Sequence, residues 1–266
     1  MFKELLVQEG SKVKLSKIET DYKGKMDKED LIRETEKNIG KIEELQNRLY
    51  AEGKQSLLLI LQAIDAGGKD GTIRKVFSGV NPQGCRVTSF KAPTKKELAH
   101  DFLWRVHREA PEDGMITIFN RSHYEDVLIV RVHDWINDKE CQKRYGYIND
   151  FEKMLSHFGT RIVKIFLYIS KDEQKKRLQE RIDDKDKNWK FASEDLPERG
   201  LWDKYISQFE EVFENTSTEQ APWFIVPANN KKYRDYAVSA IVRKTLEDMD
   251  PQFPPAAEGI EKIKVK

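Results

Sequence analysis

The stretch Leu61-Gln-Ala-Ile-Asp-Ala-Gly-Gly-Lys-Asp-Gly-Thr72 constrains the fold more than any other part of the chain. It follows Ser56-Leu-Leu-Leu-Ile-Leu61, a short continuous apolar run that suits a strand buried on both faces. Gly67, Gly68 and Gly71 let the backbone aim its N–H groups at an anion, and the helix expected next adds its positive end. Lys69 supplies a mobile cation on a flexible stem. The pattern departs from G-x-x-x-x-G-K-[ST] in two places, with Ala63 for the first glycine and Asp70 after the lysine. A plain turn uses one or two glycines; three around a Gly-Lys pair point to a phosphate-binding loop.

Around this loop apolar runs alternate with helical patterns. Strands are expected at 56–62, 85–90, 115–119, 162–169 and 223–227, and helices at 71–79, 95–109, 140–157, 171–183, 198–214 and 231–248. Thr94 with Glu97, and Ser170 with Glu173, carry the spacing of capping boxes. Asn81-Pro-Gln-Gly84 reads as a turn. Such alternation predicts an α/β fold, a parallel sheet with helices on both faces, whose ligands sit at the carboxyl ends of the strands. Before it, residues 1–55 read as a polar arm followed by an amphipathic helix over 28–52 that stops at Gly53. The main domain spans 56–250, and 251–266 form a tail. The amphipathic N-terminal helix offers a face that a second copy could cover, so a homo-oligomer is expected.

Composition narrows the partners. With 266 residues the chain suits one large domain with appendages, and its net charge of +1 argues against a dedicated nucleic-acid binder. Cys85 and Cys141 have no metal-ligand spacing, and no targeting segment or membrane-length apolar run is present, so a cytoplasmic protein is expected. The five histidines show no paired-ligand pattern, and the five tryptophans read as packing anchors.

Three groups of residues could carry chemistry. Asp65 leaves the end of a buried strand, where a carboxylate either holds a divalent ion such as Mg²⁺ or caps the loop. Asn120 and Arg121 end a second strand; Arg121 either bridges phosphates or pairs with Glu125 or Asp126. Asn120 stands where a carboxylate would usually face a phosphate loop, so that position offers a metal no full charge. The run Lys175–Lys190 holds seven basic and four acidic residues, with Arg177 and Arg181 four apart on one helix face. It reads either as a solvated face or, behind a phosphate loop, as a lid over about 175–200. A phosphate loop, arginines and few candidate acids or bases point to phosphoryl transfer between anionic groups, which asks mainly for positioning and charge neutralisation.

The chain resembles the polyphosphate kinase 2 family. The resemblance rests on Asp65-Ala-Gly-Gly-Lys-Asp-Gly-Thr72, Asn81-Pro-Gln-Gly84, Thr88-Ser-Phe-Lys91, Phe119-Asn-Arg-Ser-His-Tyr-Glu-Asp-Val127, Arg177 with Arg181, Asn188-Trp-Lys-Phe191 and Ala221-Pro-Trp223. It implies a thymidylate-kinase-like three-layer P-loop fold with a five-stranded sheet and a helical lid. It also implies reversible transfer of a terminal polyphosphate phosphoryl group to AMP or ADP with Mg²⁺, or Mn²⁺ in its place, giving ADP and ATP. Carried onto this sequence, Asp65 would hold metal or orient the acceptor, Lys69 and Arg121 would neutralise the transferring group, and Arg177 and Arg181 would close the lid. Gly67, Gly68, Asp70, Gly71 and Thr72 would form the loop, and Arg74, Lys75 and Lys91 a basic channel. Asn120 together with Glu125 looks like the subgroup that accepts both AMP and ADP, with guanine nucleotides as further candidate acceptors. The competing readings are an ATP-dependent nucleoside monophosphate kinase, which Asp70 in place of the metal-binding hydroxyl disfavours, and a non-catalytic polyanion or RNA binder.

Overall fold

The computed structural model describes residues 3–22 and 24–265. In chain order the elements are α1 (Lys28–Glu52), β1 (Ser56–Gln62), α2 (Lys69–Val76), β2 (Cys85–Ser89), α3 (Lys95–Leu98), α4 (Trp104–His107), β3 (Ile116–Asn120) and α5 (Ile129–Val132). They continue with α6 (Asp138–His157), β4 (Thr160–Tyr168), α7 (Lys171–Asp183), α8 (Asp195–Gly200), α9 (Trp202–Thr216), β5 (Trp223–Pro227) and α10 (Lys231–Met249). The five strands form one parallel sheet in the order β2-β3-β1-β4-β5. Every residue of β1 is buried, as a central strand covered on both faces requires. Helix α10 contacts both α1 and α2, and α9 contacts both α5 and α6, giving the expected three layers.

The chain leaves β1 toward β2 but leaves the neighbouring β3 toward β4, so the carboxyl ends of these two strands open a crevice. Register places Leu61 beside Asn120, and the loops that begin at Ala63 and Arg121 face each other across that crevice.

Several expectations change. The helix expected over 95–109 is two single turns. The Thr94–Glu97 capping box forms, but α3 ends at Leu98, and Asp101 Oδ1 then accepts from Leu103 N and starts a new turn. The helix expected over 198–214 is divided into α8 and α9, with Pro197 inside the first turn of α8 where its missing N–H costs nothing. The N-terminal arm is irregular but does not hang free. Val7 N donates to Trp223 O and Ile225 N to Leu5 O, so it covers the edge of β5, and Leu5 and Leu15 join the core. Helix α1 packs along α10, with Asn38 bonded to Ser239 at 3.1 Å. The apolar face of α1 expected to meet a second copy is thus covered within the chain. Trp202 and Trp223 are buried anchors, whereas Trp135 and Trp189 are exposed.

A buried ion pair lies beneath the loop after β3. Lys164 Nζ donates to Glu152 Oε2 (2.6 Å), Tyr124 Oη (2.8 Å) and Thr216 O (2.6 Å). Tyr124 Oη in turn donates to Glu152 Oε1 (2.8 Å), which His123 Nε2 also approaches at 3.2 Å. All four side chains are fully buried. Burial alone would raise the Glu152 carboxyl; Lys164 and His123 outweigh it and hold the group ionised. Removing one partner strands the other charge in the core. Lys164→Met should therefore cost about 3–5 kcal/mol in urea unfolding, and Glu152→Gln/Lys164→Met, which leaves no unpaired charge, should recover most of it.

Candidate active site

The loop after β1 takes its shape from its small residues. A Cβ on Gly67 would lie 2.4 Å from Ala63 Cβ and 2.8 Å from Ile64 O, so the turn closes only without a side chain there. Ala63, standing for the usual first glycine, is the residue that Gly67 packs against. Ala66 adopts φ 62° and Gly68 φ 101°, and the loop delivers Lys69 as the first residue of α2. Lys69 is almost wholly buried, and its Nζ donates to Ala63 O at 3.2 Å. Burial lowers its pKa, as does nearby Arg121, with Asp65, Glu125 and Asp70 pulling the other way. A phosphate bound in the loop would favour the ammonium form.

Across the crevice, Arg121 sits at φ 62°, a left-handed backbone that costs a non-glycine residue about 1–3 kcal/mol. Its N–H bonds Leu61 O (3.2 Å) and its Nη2 donates to Asp65 Oδ1 (2.8 Å). The sequence alternatives paired Arg121 with Glu125 or Asp126; its hydrogen-bonded carboxylate is Asp65 instead. Asn120 Nδ2 donates to Asp70 Oδ1 at 2.7 Å, a neutral partner for a carboxylate that a second acid would repel. Beneath them Glu125 is raised by burial, which outweighs the opposing pull of Arg121 and Lys69. With its amide turned to satisfy both ends, Gln62 donates to Glu125 Oε1 (3.0 Å) and accepts from Ser122 N (3.2 Å).

Two cavities meet here. A cleft of about 790 Å³ runs over the phosphate loop and carries twelve Lys or Arg against five Asp or Glu, a strong local excess in a nearly neutral chain. Gly67, Gly68, Gly71, Arg74, Lys75, Lys91, Arg177 and Arg181 all line it. A second cavity, about 1200 Å³, opens on the other side of Arg121 and Glu125. Its walls are mainly apolar, with Phe90, Pro93, Phe102, Ile129, Val130 and Ile136 among them. Phe90, Lys91 and Arg121 border both.

Two expected site residues serve the loop from within. Thr72 is wholly buried, and its hydroxyl donates to Gly68 O at 3.1 Å, the back-bond open to a helical threonine, so it does not reach the cleft. Arg177 was expected to act with the lid. Its guanidinium donates to Ala66 O, Gly67 O, Ala228 O and Asn229 O while Nε holds Glu173, so it ties the phosphate loop to the end of β5. Arg181 sits at the lid, with Nη1 3.4 Å from Asp195 Oδ2. Lid helix α8 is also latched by Glu198, which meets His133 Nε2 (2.8 Å) and Tyr205 Oη (2.7 Å).

Sequence reasoning missed Lys231, Lys232, Arg234 and Asp235, which line the cleft from α10. A signal existed: three cations and no acid occupy the first turn of that helix, against the preference of the dipole, directly after a strand end.

Asp65 and Asp70 line the basic cleft, and among the described residues no three ligating side chains converge on a metal position. That donor set fits Mg²⁺, which takes one or two carboxylates and completes its shell with water and phosphate oxygens. Only Oδ1 of Asp65 is hydrogen-bonded among the described residues, leaving Oδ2 for an ion.

A parallel α/β sheet with a glycine-rich loop at its crevice, a lysine within the loop and arginines around it defines a phosphoryl-transferring enzyme. A sequence profile of the polyphosphate kinase 2 (PPK2) family matches residues 25–254. The chain belongs to that family. It is 54% identical over 226 residues to the AMP/ADP-polyphosphate phosphotransferase of Meiothermus ruber, covering 85% of each chain. It is 46% identical over 268 residues to the ADP-polyphosphate phosphotransferase of Rhodopseudomonas palustris, covering 95% of this chain and 92% of that one. The crystal structure of polyphosphate kinase 2 from Arthrobacter aurescens superposes with a TM-score of 0.94 at 43% identity, over 98% of this chain and 93% of the other.

Gly67→Ala should lower stability by about 1–3 kcal/mol through overpacking against Ala63, read by thermal melting, and should abolish turnover. The raised Glu125 carboxyl stabilises the fold below its ordinary value of 4.5, and that contribution is lost as pH rises through its folded-state value. As pH rises from 4.5, wild-type stability should therefore fall relative to Glu125→Gln; parallel urea curves for the two proteins would contradict this.

Proposed function

We propose that this enzyme transfers the terminal phosphoryl group of inorganic polyphosphate to AMP and to ADP, reversibly and with Mg²⁺. The observation that carries this reading is the meeting of two cavities of opposite chemistry at Arg121. The basic cleft suits a long linear polyanion, which needs dense positive charge and no base-specific contacts. The apolar cavity suits a nucleoside, with its phosphate directed toward Arg121.

Between them the chemistry asks for little beyond placement. Lys69 and Arg121, which follow the carboxyl ends of two adjacent strands, face the transferring group and neutralise charge that spreads onto its oxygens. The acceptor is a phosphate oxygen, already ionised near neutral pH, so no general base is required. Asp65, through the oxygen that Arg121 leaves free, would hold Mg²⁺, and the ion would offset charge on the phosphoryl oxygens. Mn²⁺ fits the same oxygen donors. Asp70 is held by Asn120 as a single fixed charge beside the loop. This pairing, with the half-buried Glu125 near Arg121, supports acceptance of both AMP and ADP.

The direct test is nucleotide analysis by chromatography after mixing enzyme and Mg²⁺ with AMP and either polyphosphate or ATP, with GMP as the comparison acceptor. ADP and then ATP should form with polyphosphate alone; conversion with ATP only would make the protein a monophosphate kinase. Arg121→Ala should lower kcat by about 10²–10⁴, and a loss under about threefold would remove Arg121 from the mechanism. Glu125→Ala should reduce use of AMP more than use of ADP, and equal effects would overturn the assignment of both acceptors.

A further inference from the structure

Arg234 lies three residues into α10, with 6% of its side chain exposed. Nε and Nη2 both donate to Asp235 Oδ1, at 3.0 and 2.7 Å. Nη1 makes no hydrogen bond among the described residues. It points over the phosphate loop, since a Cβ built on Gly68 would lie 2.3 Å from it and one on Gly71 would lie 4.0 Å away. Gly68 is thus glycine for two reasons, its φ of 101° and the guanidinium that fills the space a side chain would take. Asp235 is also mostly buried, and Lys232 and Lys75 add to its positive surroundings.

A buried guanidinium held rigid by its neighbour, with one donor unused and facing a cleft, is built for an anion. Lys231 and Lys232 precede it in the first turn of the helix, where cations oppose the dipole, and Lys231 has Glu180 Oε2 4.0 Å away. Arg234 borders the basic cleft and is absent from the walls of the apolar cavity.

We propose that Arg234 is a donor-side phosphate ligand, binding the polyphosphate units behind the one transferred, and that Asp235 is the positioning residue that fixes its guanidinium. This rests on the reading of the cleft as the polyphosphate site. It separates Arg234 from Arg121, which borders both cavities and faces the transferring group itself. Arg234 grips a part of the substrate that does not react, so its loss should appear in donor binding far more than in kcat.

The experiment measures kcat and both KM values for the wild type, Arg234→Ala, Arg234→Lys and Asp235→Asn. Binding of linear polyphosphate is titrated in parallel, without nucleotide, at several salt concentrations. Arg234→Ala should raise the KM for polyphosphate roughly 10-fold or more, leave the KM for AMP within about twofold, and reduce the salt slope of polyphosphate binding by about one. Arg234→Lys should recover part of the loss, and Asp235→Asn should weaken donor binding less than Arg234→Ala. If Arg234→Ala fails to fold by circular dichroism, Arg234→Ala/Asp235→Ala, which leaves no buried charge unpaired, takes its place with the same expectation. An unchanged KM for polyphosphate, or equal rises in both KM values, overturns the assignment of Arg234 while the proposed activity stands. A wild-type enzyme that neither binds nor consumes polyphosphate overturns the activity and this inference together.

Discussion

The contact between Arg121 and Asp65 is the constraint on which the site depends. It joins the loops that leave two adjacent strands, and it holds an arginine in a left-handed backbone that an unconstrained chain would leave. The strain persists because the surroundings over-determine it. The Arg121 N–H is bonded to β1, Ser122 is wholly buried, and Tyr124 is locked into the Lys164–Glu152 pair. A buried ion pair that lines neither cavity thus positions the loop that carries Arg121. The opposite wall is fixed in the same manner by Arg177, whose guanidinium is spent on four carbonyls that shape the phosphate loop.

This rigidity separates the two halves of the site by chemistry. Charge concentrates on one side of Arg121 and apolar surface on the other, although the whole chain is close to neutral. The protein achieves this with few free carboxylates in the basic cleft. Asp70 is held by Asn120, Asp235 by Arg234 and Asp195 by Arg181. Each acid in these pairs orients a partner or is neutralised by one, so the cleft keeps its positive field. The lid contributes to that field while its Glu198 anchors α8 to His133 and Tyr205.

Local features of the sequence translated directly into structure. The phosphate loop was legible because glycine spacing is a backbone signal, and the helix over 28–52 because its apolar spacing and its stop at Gly53 are local. The family, and with it the transferase class, followed from motifs that the comparisons bear out. Features set by tertiary contact were harder to read. Arg177 and Arg181 look alike at helical spacing, yet one is spent on loop carbonyls and the other lies at the lid. Asp101 ends the pattern over 95–109 with a side-chain bond that periodicity does not register. The role of α10 escaped notice because its cations lie far from the phosphate loop in sequence, and it is β5 that brings them to the crevice.

The most direct measurement of the account is a double-mutant cycle on kcat/KM using Asp65→Asn, Arg121→Lys and the two combined, with polyphosphate and AMP as substrates. If the contact works as one unit, either change alone disables it, and the double variant should be no more than about threefold worse than the poorer single variant. Losses that multiply across the two positions would show that Asp65 and Arg121 act independently and would contradict the central role given to their contact.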